Sequence, residues 1–282
     1  MQISGTTRVF MVLGDPVSQV QAPRLFNALF ERHGIDAVLV PAHVRLEDGP
    51  AFVRGVLAAR NVDGLWLTIP HKPAVLPLLS RCDRDGRLAQ AVNAVRRNED
   101  GSLEGALFDG RGFLKALGQF GLDTRGKRAL LVGAGGAGAA IAAALLDAQL
   151  ELLALHDLGE RAQALAARLL PQAGATRVAA AGPDPAGYDL VINATPLGLR
   201  PGDPLPFSVE RLDATALVVD ILMKPHDTPL MAACRARGIA VQPGFEMLVQ
   251  QVPDYLRFFG LHDAAGAVQA DLCGVRALIQ AA

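Results

Sequence analysis

Three cysteines are all this 282-residue chain has, and Cys82, Cys234 and Cys273 lie far apart with no Cys-x-x-Cys spacing. That argues against a disulfide framework or a structural zinc site and suits a reducing compartment. Net charge is nearly absent too, at a formal -1. A chain without a basic excess cannot neutralise a phosphate backbone, so nucleic acid is not an expected partner. Long hydrophobic runs are missing. The most apolar stretch, residues 139–155, is broken by Asp147, Gln149 and Glu151 and cannot span a bilayer. The opening MQISGTTRVFMVLGDP lacks the apolar core of a secretion signal, which leaves the cytoplasm as the expected location. The six histidines show no ligand-spaced pair, and no metal is expected.

What is present is ordinary for a soluble globular protein: 51% apolar and 20% charged residues. At roughly 100–200 residues per domain the length suits two cores. Short apolar runs alternate with helical patterns, the signature of α/β units around a largely parallel sheet. Strands are expected at 8–13, 37–40 and 64–69, with helices at 23–32 and 47–59. Residues 91–95 and 103–107 flank Asn98-Glu99-Asp100-Gly101, a hairpin-type turn. Further strands are expected at 127–132, 152–155, 189–193 and 216–220. The remaining helices fall near 160–170, 228–237, 245–259 and 264–279. The composition shift predicts a first domain of residues 1–107 with 244–282 and a second of 108–243.

The clearest chemical signal is Gly133-Ala134-Gly135-Gly136-Ala137-Gly138, a G-x-G-x-x-G run after an apolar strand and before an Ala-rich helix. In that context Gly133 serves the tight turn, Gly135 lets the backbone approach a pyrophosphate, and Gly138 lets helix and strand pack closely. Free N–H groups at the helix start meet the anion. An acidic residue about 20 positions on completes the dinucleotide fingerprint, and Asp157 stands there. A carboxylate accepts hydrogen bonds from the ribose hydroxyls of NAD and repels the 2′-phosphate of NADP. NAD is therefore the expected cofactor, with Arg161 the nearest cation that could serve NADP.

Several segments, in order over nearly the whole chain, resemble the shikimate dehydrogenase family. They are Gly14-Asp15-Pro16-Val17 through Pro23, Thr68-Ile69-Pro70-His71-Lys72, Ala91-Val92-Asn93, and Asp109-Gly110 with Gly112-Phe113. The Gly-rich turn, Asn193-Ala194-Thr195-Pro196 with Gly198, Asp220 with Pro225 and Thr228-Pro229-Leu230, and Gly244 with Met247-Leu248 and Gln251 follow. The resemblance implies an α/β substrate domain, a Rossmann-type doubly wound nucleotide domain, and C-terminal helices that return to the first. It implies catalysis in the cleft between them, and a place related to aromatic amino acid biosynthesis.

By position, Lys72 and Asp109 match the family's catalytic pair. Thr68, Asn93 and Gln251 match residues that hold ring hydroxyls. Gly133, Ala134, Gly135, Gly136, Ala137, Asp157, Asn193, Thr195 and Met247 match the cofactor wall. Oxidising a secondary alcohol requires a proton to leave as hydride departs, and a positioned lysine can mediate that transfer. A neighbouring carboxylate orients the amine. His71, beside Lys72, reads as a helix-start residue rather than a catalyst.

The departures are local. The resemblance implies two serines and a tyrosine around the substrate carboxylate, and this chain has Val20, Ala22 and Met223 there. Trp66, Leu107 and Phe108 replace further polar positions. Hydrogen bonds to charged groups are each worth roughly 1.5–3 kcal/mol, so losing three predicts a drop of about three orders of magnitude in shikimate efficiency. The expected enzyme is then a divergent member acting on a cyclic or polyhydroxylated alcohol with a less anionic tail, as a monomer or homodimer. Two alternatives stand beside it. One is an authentic shikimate or quinate dehydrogenase whose anion is held by other groups, such as Ser18, Gln19 or Gln21. The other is a non-catalytic dinucleotide sensor, which would need none of Lys72, Asn93, Asp109 or Gln251.

Overall fold

The computed structural model describes residues 2–224 and 226–280. Pro225, one of the family positions named above, lies outside the described residues. The chain forms two compact units, Met1–Phe108 with Gln251–Ala282, and Asp109–Gln250.

In the first unit the order is β1 (Arg8–Gly14), α1 (Ala22–Arg32), β2 (Ala37–His43), α2 (Gly49–Val56), β3 (Val62–Leu67), α3 (His71–Ala74), β4 (Arg81–Cys82), α4 (Arg84–Ala89), β5 (Ala94–Arg97) and β6 (Leu103–Ala106). The sheet order is β2-β1-β3-β5-β6-β4, with β1 parallel to β2 and β3, and β5 antiparallel to β3 and β6. Central β1 is buried on both faces, which requires an apolar run rather than alternation. Val9, Met11 and Leu13 pack with Val53 and Leu57 around α2, while Phe10 meets Phe30 and Trp66 on the α1 side. More than half of the chain's few aromatics gather there, with Trp66 stacked on Tyr255 at 5.3 Å. The open edge of β2 is tied to α1 by Asn27, whose amide donates to Leu39 O and accepts from Leu39 N.

The second unit runs α5 (Asp109–Gln119), β7 (Arg128–Val132), α6 (Gly136–Leu145), β8 (Leu152–His156), α7 (Arg161–Leu169), β9 (Arg177–Ala180), β10 (Leu190–Asn193), β11 (Leu217–Asp220), α8 (Pro229–Ala236) and β12 (Ala240–Pro243). Its all-parallel sheet has the order β12-β11-β10-β7-β8-β9. Helix α9 (Phe245–Phe258) begins in this unit and ends in the first, followed there by α10 (His262–Ala270) and α11 (Leu272–Gln280). Among the described residues no helix is long and apolar enough to cross a membrane.

The differences from expectation have local causes. The helix expected over 264–279 is two, because Asp271 breaks it. Its carboxylate accepts from Gly274 N at 2.9 Å and pairs with Arg32 at 2.8 Å, starting a new helix rather than continuing the old one. The helix expected at 47–59 is a short 3₁₀ turn and then α2, with a proline in its first turn. Strands β4, β9 and β12 were not foreseen. They are short, and β9 exposes three of its four residues, leaving a faint apolar pattern.

Close packing in the second unit depends on missing side chains. A Cβ on Gly110 would sit 2.2 Å from Ala140 O, so α5 and α6 approach backbone to backbone. A Cβ on Gly138 would sit 1.8 Å from Gly133 O. Gly138→Ala must push α6 off the turn, and overpacking against backbone is expected to cost about 3 kcal/mol. A melting temperature roughly 6–12 °C lower follows for a unit of this size, measurable by calorimetry. A shift under about 2 °C would mean that the turn relaxes freely.

Candidate active site

Each sheet reverses its winding direction at one point, and ligands of open α/β sheets bind outside the carboxyl ends of the strands there. In the first unit that point lies between β1 and β3. A Cβ on Gly14 would fall 2.8 Å from Thr68 Cγ2, so the strand ends approach only because Gly14 is bare. Thr68 is half-buried, and its N–H donates to Leu13 O at 2.9 Å. One turn later Lys72 stands half-buried on α3, and its carbonyl accepts from Val92 N at 2.9 Å, tying it to the segment that carries Asn93.

Asn93 is buried and its amide orientation is dictated by backbone. Phe108 N–H can only donate, so it takes Asn93 Oδ1 (3.0 Å), which leaves Nδ2 to donate toward Gln251 Oε1 at 3.4 Å. Tyr255 supports the same residue by donating to Asn93 O at 3.5 Å. Gln251 is buried on α9, whose end is held at the sheet edge: Arg8 donates to Phe259 O at 3.0 Å and Arg96 donates to Phe258 O. Thr68, Asn93 and Gln251 are thus polar groups in one unit, set by strand ends and by a clamped helix.

Val20, on the loop entering α1, and Ala22, the first residue of that helix, are half-buried, and Ser18, Gln19 and Gln21 are exposed beside them. Gln19 donates to Pro16 O at 3.0 Å. Here His71 gains a contact beyond its helix-start position, and His43 was not singled out from sequence. His71 is buried, its Nε2 donates to Val44 O at 2.8 Å, and its ring lies where a Gly49 Cβ would be, which makes it a strut between elements. His43, at the end of β2, has Nε2 2.8 Å from Asp15 Oδ1. Neither carries a local motif; only strand register brings the latter pair together.

In the second unit the reversal lies between β7 and β10. Gly133 has φ 106°, and a Cβ there would sit 2.6 Å from the Ala194 carbonyl. No described atom comes within 4 Å of a Cβ built on Gly135 or Gly136, and both are exposed at the start of α6. Ala137 follows half-buried. Bare backbone N–H groups at a helix start, in open space, fit a dinucleotide pyrophosphate. Asp157 is half-buried; its carboxylate accepts from Ala134 N and from Leu158 N, both at 2.6 Å, tying the β8 end to the Gly-rich turn.

The side chains of Asn193 and Thr195 serve each other. Thr195 Oγ1 and N both donate to Asn193 Oδ1, at 2.7 and 3.0 Å, while Asn193 Nδ2 donates to Asp220 Oδ1 at 3.1 Å. Asp220 also accepts from Thr228 Oγ1 at 2.5 Å, and burial raises its pKa above the usual carboxylate value. These two positions therefore offer a ligand the shape of the turn rather than spare amide or hydroxyl groups. Asp109 is buried in the first turn of α5, where the helix N-terminus favours a carboxylate. Met247 is buried in the first turn of α9 and Met223 is 47% exposed after β11. Burial pushes the Cys82 and Cys234 thiols up to about 11, far from nucleophilic thiolates.

A family model described as the shikimate dehydrogenase substrate-binding domain matches residues 12–95. A curated NADP(+) shikimate dehydrogenase of Rubrobacter xylanophilus is 40% identical, over 97% of this chain and 98% of its own. The chain belongs to the shikimate dehydrogenase family. It is an NAD(P)-dependent oxidoreductase of that type, and its cofactor is a nicotinamide dinucleotide. An Acidiphilium cryptum relative with the same name is 38% identical over 97% of this chain and 100% of its own. Among solved structures, Corynebacterium glutamicum quinate dehydrogenase in complex with NAD is 28% identical with a TM-score of 0.82, covering 98% of this chain and 99% of that one. A 5-ketofructose reductase of a Gluconobacter strain is 25% identical with a TM-score of 0.80, covering 95% and 100%.

These likenesses correct one expectation. Full-length identity near 40% to shikimate dehydrogenases favours an authentic family enzyme over a divergent member weak on shikimate. The three apolar replacements touch few positions and leave the rest of the motif series intact. Both relatives are named as NADP(+) enzymes, which also weighs against reading cofactor choice from Asp157 alone.

Proposed function

We propose that this enzyme interconverts shikimate and its ring ketone, with a nicotinamide dinucleotide as partner. The observation that carries the reading is the full-length likeness to shikimate dehydrogenases; Thr68, Lys72, Asn93, Asp109 and Gln251 stand at the positions that the family resemblance implies. The bound nicotinamide supplies the hydride acceptor or donor. Lys72 takes the proton from the reacting hydroxyl oxygen as the ketone forms, and returns it in the reverse direction. Asp109 supplies the carboxylate that the family pattern couples to that amine. Asn93, whose Nδ2 is forced to be the outward donor, holds a ring hydroxyl oxygen together with Thr68 and Gln251.

Against the NADP(+) of the relatives' names, the chemistry of Asp157 supports NAD as the partner. Asp157 already bridges to Ala134 N with one oxygen, and its remaining lone pairs suit ribose hydroxyls, whereas a 2′-phosphate would meet a like charge. Gly133 through Ala137 would hold the pyrophosphate. The turn at Asn193 and Thr195, with Met247 buried on α9, would complete the cofactor wall.

A second reading is favoured by Val20, Ala22 and Met223: a neutral polyhydroxy ketone as substrate, as the name of the Gluconobacter relative illustrates for that protein. Steady-state kinetics separates the two. With shikimate and NAD, kcat/KM is expected at about 10⁴ M⁻¹s⁻¹ or above. A value below about 10² M⁻¹s⁻¹, with a neutral polyol turned over faster, would replace the first reading by the second.

A further inference from the structure

His43 is explained by none of the roles above, yet it stands at the ligand edge of the first sheet. In the parallel register Gly14 pairs with His43, so the two share a face of the sheet. A Cβ on Gly14 would point at Thr68 Cγ2, which puts Thr68 on that face as well. His43, Gly14 and Thr68 therefore form a row across the carboxyl ends of β2, β1 and β3, the edge where ligands of such sheets bind. The face is the one that carries Phe10 and packs under α1. On the next loop Val20 and Ala22 offer a carboxylate no hydroxyl.

We propose that His43, oriented by Asp15, anchors the carboxylate of the substrate in this chain; the inference rests on the shikimate reaction proposed above. Nε2–H donates to Asp15 Oδ1 at 2.8 Å, which fixes the ring plane and leaves Nδ1 as the second nitrogen. In the imidazolium form both nitrogens donate. In that form His43 gives the substrate anion one charge-assisted hydrogen bond from Nδ1–H, with Asp15 holding the ring through Nε2. The imidazole is 61% exposed and the carboxylate 38%, so both are reachable from solvent. Arg24, two positions after Ala22, and Arg45, two positions after His43, are the rival anchors.

The test compares shikimate with its methyl ester, identical in the ring hydroxyls and lacking the charge, in the full-length enzyme. His43→Gln is expected to raise KM for shikimate by about 10-fold to 100-fold, with kcat within about twofold and the ester unaffected. Binding read from the fluorescence of Trp66, the sole tryptophan, should weaken by the same factor for shikimate alone. Equal losses for acid and ester would mean a structural role and overturn the inference. So would an unchanged KM in His43→Gln, or a loss seen instead in Arg24→Gln or Arg45→Gln. Wild-type enzyme that fails to turn over shikimate removes the proposed function and this inference together. Wild-type turnover with an indifferent His43→Gln removes the inference alone.

Discussion

Lys72→Met should lower kcat by about 10²-fold to 10⁴-fold, the usual worth of a positioned proton-transfer group, while dinucleotide affinity stays within about threefold. The separation follows from where the residue stands. Lys72 lies on α3 in the first unit, whereas the Gly-rich turn and Asp157 belong to the second. Methionine keeps the unbranched apolar stem and removes only the amine, so the fold should persist and circular dichroism should show no change. Pre-steady-state measurement of reduced-cofactor absorbance reads the chemical step directly. A variant within about threefold of the wild-type rate would remove Lys72 from the proton path and shift weight to the sensor reading, in which no lysine is needed.

The second large effect concerns the cofactor. Wild-type enzyme should prefer NAD to NADP by about 100-fold or more in kcat/KM, since a like-charge contact costs several kcal/mol. Asp157→Asn removes the charge and keeps one acceptor, which can still take Ala134 N, at the loss of the contact to Leu158 N. In that variant NADP efficiency should rise by about 10-fold to 100-fold while NAD falls only a few-fold. Paired assays with both cofactors at saturating shikimate decide the matter. Equal use of the two cofactors by wild type would show that Asp157 stays turned into the Gly-rich turn and that Arg161 receives the 2′-phosphate.

Much of the scaffold could be read in advance, for stated reasons. Strands buried on both faces, such as 129–132 and 190–193, leave unbroken apolar runs that no solvent contact interrupts. The Gly133–Gly138 turn is legible because Gly133 and Gly138 answer steric demands, at 2.6 Å and 1.8 Å, while Gly135 and Gly136 leave the backbone open to a ligand. The edge strands of the second sheet were not legible: β9 and β12 leave most of their side chains exposed or half-buried, so their polarity is that of loops. The break at Asp271 was also hidden, since a helical apolar period can continue across a capping residue.

Function divides in the same way. The order of residue types along the chain determined the family, the two α/β sheets and the residues that match its catalytic and cofactor positions, because steric and chemical requirements at each point admit few substitutes. Partnerships between distant residues were decided only by the fold. Strand register sets His43 beside Asp15, 28 positions apart, and the packing of α9 sets Gln251 against Asn93, 158 apart. The Asn193 and Thr195 side chains look like ligand contacts in a string and turn out to hydrogen-bond each other. The physical reason is that hydrogen bonds act over about 3 Å. A sequence lists which groups could make them, but only packed strands and helices bring particular groups within that reach.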